Sequence, residues 1–90
     1  MNSIKGKFAL VTGGTQGLGA AIAKNFAESE AQGIVTIGRK EENGNEVAKQ
    51  IQNETGCEVI FIKTDLSDVK QCRNAVAVAL KKFGKLDILV

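Results

Sequence analysis

The chain contains no histidine, no proline and no tyrosine, and its two cysteines, Cys57 and Cys72, do not stand in a CxxC arrangement. Without histidine and without paired cysteine spacing, neither a zinc site of the usual kind nor a thioredoxin-like redox motif can be built, so no metal is expected. The two thiols read as reduced, buried side chains of a cytosolic protein. The lack of proline goes with the lack of any linker, repeat or low-complexity tract. Charge of one sign is also missing: twelve basic and ten acidic side chains are interspersed, for a net charge of +2. No dense Lys/Arg block is present, so neither nucleic acid nor an anionic membrane surface is an expected partner. Apolar runs are short. The stretch Met1-Asn2-Ser3-Ile4-Lys5-Gly6-Lys7 leads into a run too brief for a signal-peptide core or a membrane span, which makes a cytoplasmic location the expectation.

What is present describes one core. Ninety residues with 43% hydrophobic content and 24% charge suffice for one domain or part of one. Four apolar segments recur: Phe8-Ala9-Leu10-Val11, Ile34-Val35-Thr36-Ile37, Val59-Ile60-Phe61-Ile62 and Leu86-Asp87-Ile88-Leu89-Val90. They are nearly continuous rather than alternating, as expected of parallel strands covered on both faces. Between them lie three helical patterns. The first runs from about Gly17 to Ser29, with Leu18, Ile22 and Phe26 on one stripe and the small residues Gly19, Ala23 and Ala27 beside it. The second, about Glu41 to Thr55, offers only Val47, Ala48 and Ile51 as an apolar face and should end at a left-handed Gly56. The third is expected to start at an N-cap Ser67 and stop at Gly84, with Val69, Cys72, Val76, Ala79, Leu80 and Phe83 on its buried face.

Strands alternating with helices through short connections predict an α/β doubly wound parallel sheet. Right-handed crossovers put the first two helices on one face, and a return to place strand four beside strand one puts the third on the other, giving the order 3-2-1-4. The reversal between strands one and four opens a crevice at the carboxyl ends of the strands.

At the lip of that crevice stands Thr12-Gly13-Gly14-Thr15-Gln16-Gly17-Leu18-Gly19. Gly13, Gly17 and Gly19 give the spacing G-x-x-x-G-x-G. A strand-to-helix turn without side chains lets backbone N–H groups approach a pyrophosphate, and the positive helix end near Gly17 and Leu18 favours its charge. Thr15 and Gln16 can add side-chain hydrogen bonds. The alternative is a glycine turn that merely packs a helix tightly on a strand.

These residues resemble the short-chain dehydrogenase/reductase family. The glycine stretch looks like that family's TGxxxGxG motif, Asp65-Leu66-Ser67-Asp68 resembles the segment after its third strand, and Gly84-Lys85-Leu86-Asp87-Ile88-Leu89-Val90 resembles its fourth strand. The resemblance spans the chain and implies a Rossmann-like fold ending after the fourth strand, a dinucleotide-binding half-domain over 1–90 with no second domain. It further implies that Asp65 hydrogen-bonds an adenine ring and that Leu66 packs beside it. Taken alone, Asp65 also suits a turn or cap where a strand gives way to a helix.

The end of strand two discriminates between cofactors. An acidic residue there receives the ribose hydroxyls of NAD, whereas an Arg accommodates the 2′-phosphate of NADP. Here the strand ends Ile37-Gly38-Arg39-Lys40, and the planar donor fork of Arg39 suits a phosphate. NADP is therefore expected over NAD. Relatives that use NADP often carry Arg or Lys where this chain has Gln16.

The family's Asn-Ala-Gly motif and its catalytic serine, tyrosine and lysine have no counterpart within these residues, and Lys81, Lys82 and Lys85 read as solvated charge. No catalytic residue is assigned. The expected function is the NADP(H)-binding part of an oxidoreductase that transfers hydride between NADP(H) and an alcohol/carbonyl pair in its full-length form, with the 90-residue chain inactive alone. The rival is a stand-alone, non-catalytic nucleotide-binding or interaction module. Strand four should lie at a sheet edge and invite self-association.

Overall fold

Short apolar runs with little alternation pair side by side because each must cover both faces. The computed structural model describes residues 4–13 and 17–90, without the Leu18 side chain. Its elements are β1 (Phe8–Thr12), α1 (Gly17–Glu28), β2 (Gly33–Gly38), α2 (Glu41–Thr55), β3 (Glu58–Lys63), α3 (Val69–Phe83) and β4 (Ile88–Leu89). All pairings are parallel, in the order β3-β2-β1-β4. Leu10 stands opposite Val35 on one side and Leu89 on the other, and Val35 opposite Ile60. β2 is buried along its entire length.

Alternate strand residues face opposite layers. Val11, Ile34 and Val59 meet Ala23 and Ala27 of α1 and Ala48 and Ile51 of α2. Leu10, Val35 and Ile37 meet Ala75 and Ala79 of α3. The two layers and the strand order are those the pattern of elements predicts, and they make a doubly wound sheet.

The departures have local causes. α1 ends at Glu28, one residue early, because the chain closes a Schellman motif: the Ala31 N–H donates to Phe26 O and the Glu30 N–H to Ala27 O, both at 3.1 Å. Glu30 takes the left-handed position of that motif, with φ 68°, where glycine is the usual occupant. At the start of α3 the N-cap is Asp68, not Ser67. Its Oδ1 accepts from the Lys70 and Gln71 N–H groups at 2.9 and 3.3 Å, whereas Ser67 is turned back toward Asp65.

The buried face of α3 also differs. Val69 and Leu80 are exposed, and the fully buried contacts come from Ala75 and Ala79. Small side chains bring the helix axis close to the sheet, so the contact follows alanines rather than the largest apolar residues; Val76, Phe83 and Leu86 pack around them. The regular part of β4 is shorter than the apolar run, yet its ladder extends past both ends: the Asp87 N–H donates to Phe8 O at 2.8 Å, the Val90 N–H to Leu10 O at 2.9 Å. Leu89 and Val90 stay exposed at this edge.

Candidate functional site

Parallel strands bring every carboxyl end to one edge of the sheet. Thr12 and Gly13 leave β1 there, Gly38 and Arg39 leave β2, and Thr64 and Asp65 leave β3. Backbone bonds lock these exits together. The Gly13 N–H donates to Ile37 O at 2.9 Å and the Thr64 N–H to Gly38 O at 2.7 Å. The Val90 carbonyl accepts both the N–H and the Oγ1–H of Thr12, each at 3.0 Å.

From this edge the chain turns into α1. Gly13 and Gly17 have φ of +67° and +62°, a backbone region that L side chains rarely adopt. Gly19 serves differently: a Cβ there would overlap the Gly13 carbonyl and stand 2.9 Å from Thr12 O. The first turn of α1 therefore lies against the end of β1 with only backbone between them. The N–H groups of its first turn and the positive end of its dipole belong to the same edge, a combination suited to an anion. Thr15 and Gln16 lie outside the described residues. Leu18 contributes backbone to the first turn of α1.

The other predicted residues gather beyond β2 and β3. Arg39 is largely exposed, and its Nε lies 3.9 Å from Asp65 Oδ1. Asp65 Oδ1 also accepts the Ser67 N–H at 3.0 Å and the Ser67 hydroxyl at 2.7 Å. The Ser67 hydroxyl, then its N–H, and finally the Arg39 charge hold the Asp65 carboxyl below its ordinary range. Its backbone N–H is taken by Gln71 Oε1 at 2.8 Å. Asp65 thus makes a side-chain turn, and among the described residues its Oδ2 has no hydrogen-bond partner. Leu66 follows with its side chain about half exposed.

Sequence reasoning treated Arg39 and Asp65 separately and missed their pairing. The signal was present in the Asp-x-Ser spacing of residues 65–67, a turn signature, together with strand order, which makes the ends of β2 and β3 neighbours.

Other features lie elsewhere. A cavity of about 510 Å³ opens at the opposite, amino-terminal end of the sheet, where Ala31, Gln32, Gly56 and Cys57 line it. Burial pushes the Cys57 thiol up, with the Glu58 charge adding to the effect. Among the described residues no three metal-ligating side chains cluster, and no helix is long and apolar enough to cross a membrane.

Comparison with known proteins meets this geometry. The model of the short chain dehydrogenase family matches residues 7–90. A 2,5-dichloro-2,5-cyclohexadiene-1,4-diol dehydrogenase of Sphingobium indicum is 44% identical over 88 residues, which are 98% of this chain and 34% of that protein. L-sorbose reductase from Gluconobacter frateurii, solved in complex with NADPH and L-sorbose, superposes with a TM-score of 0.90 at 32% identity, covering 94% of this chain and 32% of its own. An alcohol dehydrogenase from the archaeon Thermococcus sibiricus, complexed with 5-hydroxy-NADP, gives 0.88 at 26% identity over 92% of this chain and 35% of its own. The chain spans about a third of the length of the curated relatives it matches.

Proposed function

Because the chain belongs to the short-chain dehydrogenase/reductase family and has its Rossmann fold, we propose that residues 1–90 form the dinucleotide-binding part of an oxidoreductase. Its full-length form transfers hydride between NADP(H) and an alcohol or carbonyl substrate. The observation that carries this reading is the close approach at Gly19, where only backbone lies between the first turn of α1 and the end of β1. Such a turn fits a pyrophosphate, which needs backbone donors at short range.

Gly13, Gly17, Leu18 and Gly19 would hold the pyrophosphate, aided by Thr15 and Gln16. Arg39 would take the 2′-phosphate of NADP, Asp65 the adenine, and Leu66 would lie beside the ring. When bound, a nicotinamide dinucleotide supplies or accepts hydride. The residues here bind and orient it. A developing oxyanion needs a placed acid, which typically contributes about 10²–10⁴-fold to rate, and these residues offer no tyrosine for that task. The NADP complexes of the two solved relatives favour NADP over NAD.

Calorimetric titration of the chain with NADPH and NADH tests the proposal. A charge-assisted hydrogen bond is worth about 1.5–3 kcal/mol, so Arg39→Ala should weaken NADPH roughly 10- to 150-fold and leave NADH nearly unchanged. Equal losses for both would remove Arg39 from the phosphate site. Absence of binding for either would overturn the reading.

A further inference from the structure

The Arg39–Asp65 pair sits where the proposed cofactor carries its extra phosphate, and this inference rests on that reading. Gly38 O and the Thr64 N–H tie the exits of β2 and β3 at 2.7 Å, which sets the two side chains next to each other. The carboxylate is the fixed partner, since two donors from Ser67 hold its Oδ1. The guanidinium is the movable one: its side chain is 76% exposed and meets Asp65 only through Nε, at 3.9 Å. Among the described residues, Arg39 is the one cation within 4.0 Å of Asp65. We propose that Asp65 competes with the 2′-phosphate of the cofactor for Arg39, and so limits the preference for NADP(H) over NAD(H). NAD(H) carries only a neutral 2′-hydroxyl at that place and leaves the pair intact; NADP(H) must draw Arg39 away from its counter-ion.

Asp65→Asn tests this with little disturbance, because asparagine keeps the Oδ1 acceptor and forms the same side-chain turn. Asp65→Ser, which can form the turn through its hydroxyl, is the second neutral variant. Loss of any adenine contact affects both cofactors alike and cancels in the ratio of their affinities. In calorimetry at low salt, both variants should raise the NADPH-to-NADH affinity ratio by roughly 2- to 5-fold, the range of an exposed ion pair. High salt should shrink the effect by screening. In an Arg39→Ala background the same substitutions should leave the ratio unchanged, because nothing remains to compete for.

An unchanged or lowered ratio in the Arg39 chain overturns the inference, as does an equal rise without Arg39, which would mean direct repulsion between Asp65 and the phosphate. Both leave the proposed function standing. No binding of either nucleotide to the unsubstituted chain ends both.

Discussion

The ring of Phe61 on β3 occupies the space that a side chain on Gly44 of α2 would fill. Gly44 is buried in the first turn of its helix, in a position where solvent exposure would favour alanine. Exchange of glycine for alanine inside a helix normally stabilises by about 0.8–1 kcal/mol. Here the new methyl would overlap the ring, and overpacking costs about 1–3 kcal/mol.

Gly44→Ala should therefore lower stability by up to about 2 kcal/mol, seen as an earlier urea midpoint with an unchanged slope. In a Phe61→Leu background the same exchange should be neutral or favourable, because the methyl then has room. Gly44→Ala that matches or exceeds the unsubstituted chain would show that Phe61 can move aside freely.

Glu30 holds the left-handed position after α1 with φ 68°. A residue with a Cβ is disfavoured there by about 1–2 kcal/mol, while glycine adds about 0.5–1 kcal/mol of backbone entropy cost. Glu30→Gly should stabilise by roughly 0.5–1 kcal/mol, and thermal melting should shift upward accordingly. A lower melting temperature would mean that the Glu30 side chain contributes an interaction worth more than the strain.

Both positions explain where the sequence was legible and where it was not. Element order and the C-terminal ends of α2 and α3 follow from patterns a few residues long: β-branched runs, a glycine at 56, a glycine at 84. Each such signal acts locally, so it survives without knowledge of the tertiary fold. The Schellman turn at Glu30 carries no glycine to announce it. The face of α3 depends on how near the helix can approach the sheet, which Ala75 and Ala79 decide and hydrophobicity alone ranks below Val69 and Leu80. The site divides in the same way: the glycine turn is legible from spacing, whereas the contact of Arg39 with Asp65 joins side chains from two turns, and the order of β2 and β3 makes those turns neighbours without setting where the side chains reach.

Asp87 joins β4 to β1 by two bonds with Phe8. Its N–H donates to Phe8 O and its Oδ2 accepts the Phe8 N–H, both at 2.8 Å. The bond from Phe8, followed by the charges of Lys85 and Lys7, lowers the carboxyl below its ordinary value of 3.8. A lowered folded-state pKa stabilises the fold above the unfolded value, and that stabilisation disappears as pH falls through the folded one. Asp87→Asn should thus be less stable than the unsubstituted chain near neutral pH. The gap should close as pH falls from about 4 through the lowered folded-state value. Urea midpoints at a series of pH values measure it, and a gap independent of pH would separate the Asp87 charge from the stability of the β1–β4 pair.

Gly17 and Gly19 stand two residues apart and are required for different reasons, so their substitutions should separate stability from binding. At Gly17 an added Cβ meets nothing within 4 Å among the described residues, but the backbone has φ +62°. Gly17→Ala therefore suffers only left-handed strain, about 1–2 kcal/mol. At Gly19 the backbone conformation is ordinary for the helix, and the obstacle is the Gly13 carbonyl. A methyl group cannot pass a backbone atom by changing rotamer, so α1 must move away from the end of β1. That displacement moves the first turn of α1, and its N–H groups, away from the proposed pyrophosphate site. Gly19→Ala should lower stability by about 1–3 kcal/mol and, at temperatures where the variant remains folded, weaken NADPH and NADH by the same large factor. Gly17→Ala should retain more of the binding at comparable stability. The comparison is made by calorimetry on folded samples, with urea denaturation reporting stability separately. If Gly19→Ala binds both nucleotides as tightly as the unsubstituted chain, the close approach of α1 to β1 serves packing alone, and the pyrophosphate must be sought away from this turn.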